Sequence, residues 1–285
     1  MAETQKTLQQ LFLRRALVKL VNLKTRDFVK VEGLRVRFDV TKTNSSKPND
    51  GTVEIFNLNA DVRKFCEVPP EKDGKVSQDG LYIELSAGYQ ALTRQIFSGY
   101  ASGGSEYQSP DWISKFKLVD GKTEIRTGTF EKSYKAGTPM QTVVMDVVKK
   151  LGLPLGFVKS PITTDIVQHG LSLSGPIKDI LDNFSLKYNF FWSIQGGTVQ
   201  IMDAEESLPG TAAVISPTTG LLSSPIRTEK GLEFDTLLIP HLKPGGLIRL
   251  QNNLSYNGLV QINSVQFSGD TSEGDFKCHI ESKVL

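Results

Sequence analysis

The first sixty residues alternate. In GLRVRFDVTKTNSSKPNDGTVEIFNLN, residues 33–59, Leu34, Val36, Phe38 and Val40 fall on one side of an extended strand, and Arg35, Arg37, Asp39 and Thr41 on the other. The Thr-Lys-Thr-Asn-Ser-Ser-Lys-Pro-Asn-Asp-Gly between the two alternating runs is dense in turn formers, and Asp50-Gly51 favours positive φ just before the next strand. One face of this ribbon suits a core and the other a polar environment. The same pattern predicts strands at Arg15–Val21, Phe28–Lys42, Thr52–Asn57, Leu81–Ala87 and Arg94–Tyr100. A short helix carries Val62, Phe65 and Cys66, capped from Asn57-Leu58-Asn59 and stopped by Val68-Pro69-Pro70. Gly-Gly-Ser at 103–105 and Gln-Ser-Pro at 108–110 read as a break before strands at Ile113–Val119 and Thr129–Lys135. Asp120-Gly121 reads as a hairpin-type turn between those two.

The period then changes from two to 3.6. Thr138-Pro139-Met140-Gln141 has a capping-box pattern with Pro at the first helical position. Met140, Val143, Val144, Val147, Val148 and Leu151 form an apolar stripe that Gly152 ends. A second helix starts near Pro176 with Ile177, Ile180, Leu181 and Phe184 on one face. It leads into the hairpin YNFFWSIQGGTVQIMD, which turns at Gln195-Gly196-Gly197. Residues 138–203 therefore read as a small α+β unit inserted into a β-rich chain. Strands return at Leu247–Leu250, Gly258–Phe267 and Asp275–Glu281, and the Pro-, Gly-, Ser- and Thr-rich stretch 209–231 reads as an ordered crossing segment.

Composition bounds what this architecture can do. With 285 residues, 39% of them hydrophobic and 22% charged, the chain can bury a real core and is not of disordered composition. A formal net charge of +2 gives no basis for bulk electrostatic capture of nucleic acid. Lys6, Arg14, Arg15, Lys19, Lys24, Arg26 and Lys30 make the first thirty residues locally basic, which fits a solvated strand face or an acidic partner as well as DNA. No apolar run has the length of a membrane span. Arg14 and Arg15 follow Leu11-Phe12-Leu13 rather than preceding it, so the expectation is use without Sec export. Cys66 and Cys278 lack zinc-type spacing; Cys278 shares a strand face with Phe276 and Ile280, and spacing leaves open whether the two cysteines pair.

No stretch carries catalytic chemistry. His169, His241 and His279 stand in separate segments without metal-ligand spacing, and surface or capping roles account for them. GLSLSG at 170–175 approaches a nucleophile elbow but lacks its strand-turn-helix flanks and reads as a loop. Ser114-Lys115-Phe116-Lys117 matches Ser-x-x-Lys only by letters, inside an alternating strand. Glu84, Asp179, Asp182, Glu205 and Glu206 offer carboxylates for a glycosidase pair, but Glu205-Glu206 reads as a solvated turn. Asn44, Asn183 and Asn253 open glycosylation sequons with no other sign of secretion. Tyr188, Phe190, Phe191 and Trp192 read as core packing rather than a stacking platform. The expectation is no catalytic residue, no cofactor and no metal.

Several stretches, taken in order, resemble a known family. VTKTNSSKPNDGTVEIFNLNADVRKF is similar to the first domain of baseplate hub proteins of contractile-tailed phages. AGTPMQTVVMDVVKKLGL, ISPTTGLLSSPIR, LIPHLKPGGLIRLQNN and INSVQFSGDTSEGDFKCHIESKVL follow in the order found in that family. The resemblance implies a mainly β fold with an inserted α+β unit, and two tube-like β-barrel domains per chain in a trimeric hub. Domains are then expected at 1–107, at 108–137 plus 204–285, and at 138–203 for the insertion. It further implies a structural virion protein, assembled in the host cytoplasm, that joins a sixfold tail tube to a threefold spike. Partners would be two further copies of the chain, the tail tube or tube initiator, a central spike and baseplate wedge proteins, with DNA in transient passage through an axial channel. On this reading Arg35, Arg37, Asp39 and Arg249 are the candidate subunit or channel contacts, although a solvated barrel exterior explains any one of them equally well. The rival readings are a distal-tail or tube-initiator protein, a tail-associated lytic enzyme, a carbohydrate-binding sandwich, and a spike-like secretion effector.

Overall fold

The computed structural model of the chain describes residues 13–67, 80–121, 128–159, 162, 164–252 and 256–285. They divide into two compact units. The larger comprises the described parts of Met1–Lys42, Asp50–Val119 and Thr211–Leu285, and the smaller those of Thr43–Asn49 and Asp120–Gly210. Lys6, Leu11, Phe12, the Val68-Pro69-Pro70 stop and Asn253 lie outside the described residues.

The larger unit carries a 13-stranded sheet. Its N-terminal strands are β1 (Arg14–Asn22), β2 (Phe28–Glu32), β3 (Val36–Thr43), β4 (Asp50–Phe56), β5 (Leu81–Tyr89), β6 (Arg94–Gln108) and β7 (Asp111–Val119). Its C-terminal strands are β13 (Ala213–Ile215), β14 (Ile226–Thr228), β15 (Gly231–Leu237), β16 (Leu247–Asn252), β17 (Tyr256–Asp270) and β18 (Phe276–Val284). The order is β14-β15-β18-β17-β3-β4-β7-β6-β5-β1-β2, with β16 also on β17 and β13 parallel to β16. Alternation builds it: Val36, Phe38 and Val40 on β3, Val53 and Ile55 on β4, Ile83 and Leu85 on β5, and Val265 and Phe267 on β17 are all buried in one contiguous core. Each such side chain stabilises the fold by about 1.5–3 kcal/mol. Helix α1 (Ala60–Phe65) starts as the sequence indicates, with the Asn59 side chain accepting from the Val62 amide at 2.8 Å.

Strand β17 is the seam. One of its edges carries β18 from Val260 to Gly269. The other carries β16 over Tyr256–Gln261 and then β3, where Gln266 meets Asp39 and Thr271 N–H donates to the Val36 carbonyl at 3.0 Å. Beyond β3 the sheet curls until the far strands return to the β17–β18 turn. The Tyr89 hydroxyl donates to the Phe276 carbonyl at 3.2 Å, and Arg14 lies over the Phe276 ring at 5.4 Å. Phe276 also packs edge-on against Phe38 and Tyr89, with centroids 5.8 and 5.3 Å apart. Gly269 makes this possible, because a Cβ there would stand 2.6 Å from both Phe rings.

Charged groups clasp the same turn. Arg35 binds both carboxylate oxygens of Asp270, with Nη2 to Oδ2 at 2.8 Å, and also reaches Glu273. Arg37 reaches Asp270 at 3.2 Å, and Arg14 donates to the Asp270 and Glu273 carbonyls, both at 3.1 Å. The Asp270 side chain is only 8% exposed. Burial pushes its carboxyl up, but hydrogen bonds from Arg35 and the Ser272 amide, with Arg35's charge, outweigh burial and hold it below the usual carboxylate range.

The smaller unit holds β8 (Thr129–Tyr134) paired with β10 (Leu171–Pro176), and a sheet ordered β11 (Phe190–Gln195), β12 (Thr198–Asp203), β9 (Leu155–Val158). Helices α2 (Met140–Lys149) and α3 (Ile177–Tyr188) complete it. Val143, Val144, Val147 and Val148 of α2 and Ile177, Ile180, Leu181 and Phe184 of α3 are buried with Phe190, Trp192, Ile194, Val199 and Ile201 in a single cluster. Gly196 and Gly197, both at positive φ (58° and 75°), form the two-residue turn between β11 and β12. The nearly buried Asp120 carboxylate accepts from their amides at 2.7 and 3.2 Å, while Asn49 donates to the Ile194 carbonyl at 2.8 Å.

Several local expectations are corrected. Phe28–Lys42 is two strands, broken where Gly33 takes φ 80°. Strand β6 runs straight through Gly103-Gly104-Ser105, and the Gln-Ser-Pro stretch is its hairpin turn into β7, so those residues connect strands rather than separate them. Asp111–Val119 pairs with β4 on one edge and β6 on the other. Asp120-Gly121 is no hairpin turn either, since β8 pairs with β10. GLSLSG is mostly strand β10. The capping box does not form: Pro139 is the cap itself, and the Thr138 hydroxyl donates to the Lys135 carbonyl.

Two outcomes are expected. Val148→Asp places an unpaired charge among fully buried valines, at a cost of several kcal/mol; the variant should be insoluble or lose cooperative unfolding, and a soluble, normally folded product would contradict the packing of α2. Asp270→Asn should destabilise the chain by about 1–3 kcal/mol at neutral pH in urea unfolding. Because the folded carboxyl titrates below its ordinary 3.8, its contribution is complete above that value and is lost as pH falls through the lower folded pKa. The gap between the variants should therefore close in acid, and a gap that persists unchanged would show that the clasp is not ionic.

Candidate functional site

The outward positions of the ribbon are where the sequence puts its polar groups, and the structure brings three of the four candidates together. Arg37 and Asp39 project from one side of β3, the side opposite Val36, Phe38 and Val40, and Arg35 immediately precedes the strand. Antiparallel register sets Arg37 opposite Glu54 on β4, and Glu54 opposite Lys115 on β7. The outcome is a rib of alternating charge across five strands. Asp270 meets Arg37 at 3.2 Å, Arg37 meets Glu54 at 3.2 Å, Glu54 meets Lys115 at 3.8 Å, and Lys115 meets Glu106 on β6 at 3.1 Å. Exposed pairs of this kind contribute about 0–1 kcal/mol each, so their main effect is to fix which groups stand where.

An open groove of about 530 Å³ lies along this rib, walled by Arg37, Asp39, Thr52, Glu54, Asp270 and Glu273. Asp39 accepts from the Gln266 side chain at 2.8 and 2.9 Å. Arg35 and Arg37 also lie over the Phe56 ring, at 4.7 and 5.6 Å from its centroid. Each of the three therefore has partners within its own chain. Arg249 lies apart on β16, exposed, with no ion-pair partner among the described residues.

The other polar clusters among the described residues are paired as follows. His279 points outward from β18, as its alternation indicates, and its Nδ1 lies 2.7 Å from Asp235, which Lys277 also reaches at 3.1 Å. Burial pushes the Asp235 carboxyl up, but the bonds from His279 and Lys277 prevail and bring it below the ordinary range. The Ser223 hydroxyl accepts from the Asp235 backbone amide at 2.9 Å, and the Ser264 hydroxyl donates to Glu281 at 2.9 Å. Cys66 and Cys278 are free thiols, and burial pushes both up to about 12, which leaves them unreactive. Among the described residues no group of three or more His, Cys, Asp or Glu is placed to hold a metal, and no helix is long and apolar enough to cross a membrane. Phe190 and Trp192 are core, and Trp192 Nε1 donates to Asp182 at 2.9 Å. Asn183 lies within helix α3.

Sequence reasoning missed two features of this surface. Asp270 and Glu273 stand 235 and 238 residues from Arg35, and only the acidic turn GDTSEGD hinted at them. Tyr107 and Trp112, 58% and 39% exposed, flank a hairpin turn that sequence had treated as a break.

Comparison with known proteins agrees with this architecture. The family model described as baseplate hub gp41 matches residues 17–280. The 43 kDa tail protein of prophage MuSo2 from Shewanella oneidensis is similar in structure with a TM-score of 0.60, at 11% identity, over 95% of this chain and 97% of that one. A tail protein from Neisseria meningitidis MC58 gives 0.61 at 9% identity, over 94% and 96%. The Escherichia coli c3393 protein, a type VI secretion component described as structurally similar to the T4 tail proteins gp27 and gp5, gives 0.60 at 10% identity, over 88% and 73%. At such identities the likeness shows the fold alone. Comparison with proteins of curated function gave no match. With its family model covering nearly the whole chain, this protein belongs to the baseplate hub gp41 family.

Proposed function

We propose that the chain is a non-enzymatic structural hub of a contractile-tail baseplate, three copies of which surround an axial channel and join a sixfold tail tube to a threefold spike. The observation that carries this reading is the division of the β17 edge between β16 and β3. It groups the strands into β1–β7 with the end of β17, and β13–β18, two sets of the kind a double-barrel subunit needs. Two tube-like domains per chain then let three chains present six, which matches threefold to sixfold symmetry. On this reading β7 belongs to the first barrel. Outward polar strand faces, with Arg35, Arg37 and Asp39 on one set and Arg249 on the other, are the surfaces offered to neighbouring copies or to the channel. DNA would cross that channel in transit. The tail tube or its initiator, the spike and the wedge proteins are the remaining partners, and the protein would reside in the virion after assembly in the host cytoplasm.

Two measurements test this. A symmetry-free image of the particle should contain three copies in one ring; six copies, or all four polar residues facing bulk solvent outside the ring, would defeat it and favour a distal-tail or tube-initiator role. The purified protein should leave peptidoglycan and polysaccharide intact. Reproducible lysis that one Glu or Ser substitution abolishes would replace the structural reading with an enzymatic one.

A further inference from the structure

Strand β5 ends its pairing with β6 at Ala101, and from Ser102 to Gln108 β6 pairs with β7 alone among the described residues. This arm carries an exposed aromatic assembly. Tyr107 and Trp112 are opposite each other across the arm with centroids 5.5 Å apart and planes at 54°, and Arg63 lies over the Trp112 ring at 4.3 Å. The stack is pre-formed, so placing it in a partner costs little side-chain entropy, and Tyr, Trp and Arg are the residues that dominate protein interfaces. A sugar platform is disfavoured by the same geometry, since Arg63 covers one Trp112 face and the rings are far from coplanar. Beside the stack, Asp111 accepts from the Asn57 side chain at 2.8 Å and has no cationic partner among the described residues.

A second surface of the larger unit has the opposite character. Parallel pairing of β13 with β16 and antiparallel pairing of β16 with β17 place Val214, Arg249 and Leu259 abreast. Val214 and Leu259 are 49% and 41% exposed. The row is about 10 Å wide at the usual strand spacing. At its centre stands Arg249, exposed and without an acidic partner among the described residues. An aromatic projection beside an uncompensated acid thus matches an apolar row around an uncompensated cation.

We propose that a second copy of this chain seats its Tyr107–Trp112 arm on the Val214–Arg249–Leu259 face of its neighbour, with Asp111 meeting Arg249. The contact joins two different surfaces, so it repeats head to tail and closes a ring when the rotation fits. It rests on the reading of the chain as a ring-forming hub and names the residues through which copies meet.

The test uses disulfide capture between two separately purified full-length variants, Gln108→Cys on the arm and Gln251→Cys beside Arg249. The native Cys66 and Cys278 are buried and do not compete. Mixed under mild oxidation at high concentration, the two should form a mixed dimer well ahead of like-with-like dimers and of a Lys135→Cys control. Adding Asp111→Arg should slow mixed-dimer formation about tenfold, as loss of one interfacial charge pair of about 1.4 kcal/mol requires. Adding Arg249→Asp to the other variant as well should restore it. Like-with-like capture alone, capture no faster than the control, or failure of the charge exchange to restore the rate would each overturn the proposal. Chain count of the captured species by native mass is a separate readout. A closed ring of other than three chains would remove the threefold reading and leave this contact standing.

Discussion

Strand β17 must satisfy hydrogen-bonding groups on two edges along fifteen residues, and the larger unit is arranged around that requirement. β18 occupies one edge for most of its length, but no single strand covers the other. β16 serves it up to Gln261 and β3 serves it further on, where Gln266 meets Asp39. The pairing with β18 shifts register between Ile262 and Ser264, at the point where one neighbour gives way to the other. An irregularity there bends and re-aims the strand, which allows it to belong to two curling groups of strands at once. The single contiguous core, running from Ala16 to Ile280, is the packing consequence.

Curling the N-terminal group brings chain segments into contact that are far apart in sequence. Phe276 is the point of closure: Phe38, Tyr89 and Arg14 all meet its ring, and Gly269 leaves the room they need. The guanidinium groups converging on Asp270 then hold the turn from outside. Apolar closure supplies most of the driving force, because the ion pairs are open to solvent on the arginine side, in part for Arg35 at 27% and by half for Arg37 at 50%. Their contribution is positional. A one-residue slip of β3 would turn Arg37 inward and break its contacts with Glu54 and Asp270, so the rib reinforces the register that the core requires.

What could be read from sequence followed from periodicity. Val36, Phe38 and Val40 declare a buried strand face, and Val143, Val144, Val147 and Val148 a buried helix face, because each pattern repeats at the period of its element. The same alternation fixed Arg35, Arg37, Asp39 and Arg249 as outward residues. Pairing was not legible. Nothing local in Asp111–Val119 says that its neighbours are β4 and β6, and nothing near Arg35 names Asp270 at a separation of 235 residues. Glycine misled in both directions. Gly103 sits inside a strand where the backbone approaches Lys115 closely, whereas in GLSLSG Gly170 precedes strand β10 and Gly175 lies within it, paired with Phe130, rather than marking a loop. Strand β15 was missed because Glu233 and Asp235 interrupt its hydrophobicity, although Leu232, Phe234 and Thr236 alternate inward.

The fold is shared with tail proteins at 9–11% identity, so it tolerates exchange of nearly all its side chains while strand order and alternation persist. Outward residues are the freest to change, and this makes their partners the useful criterion for function. Arg35, Arg37 and Asp39 are accounted for by bonds within the chain; the fold alone is sufficient reason for them, whatever else they touch. Arg249 and Asp111 are different. Neither has an opposite charge to meet among the described residues, and each stands beside exposed apolar or aromatic side chains that the core does not use. Asp111 is hydrogen-bonded to the Asn57 side chain, but neither group is charge-compensated among the described residues, and the proposed contact between copies would supply that compensation. In a member of the baseplate hub gp41 family, surface charges left uncompensated among the described residues are therefore where contacts between copies are expected.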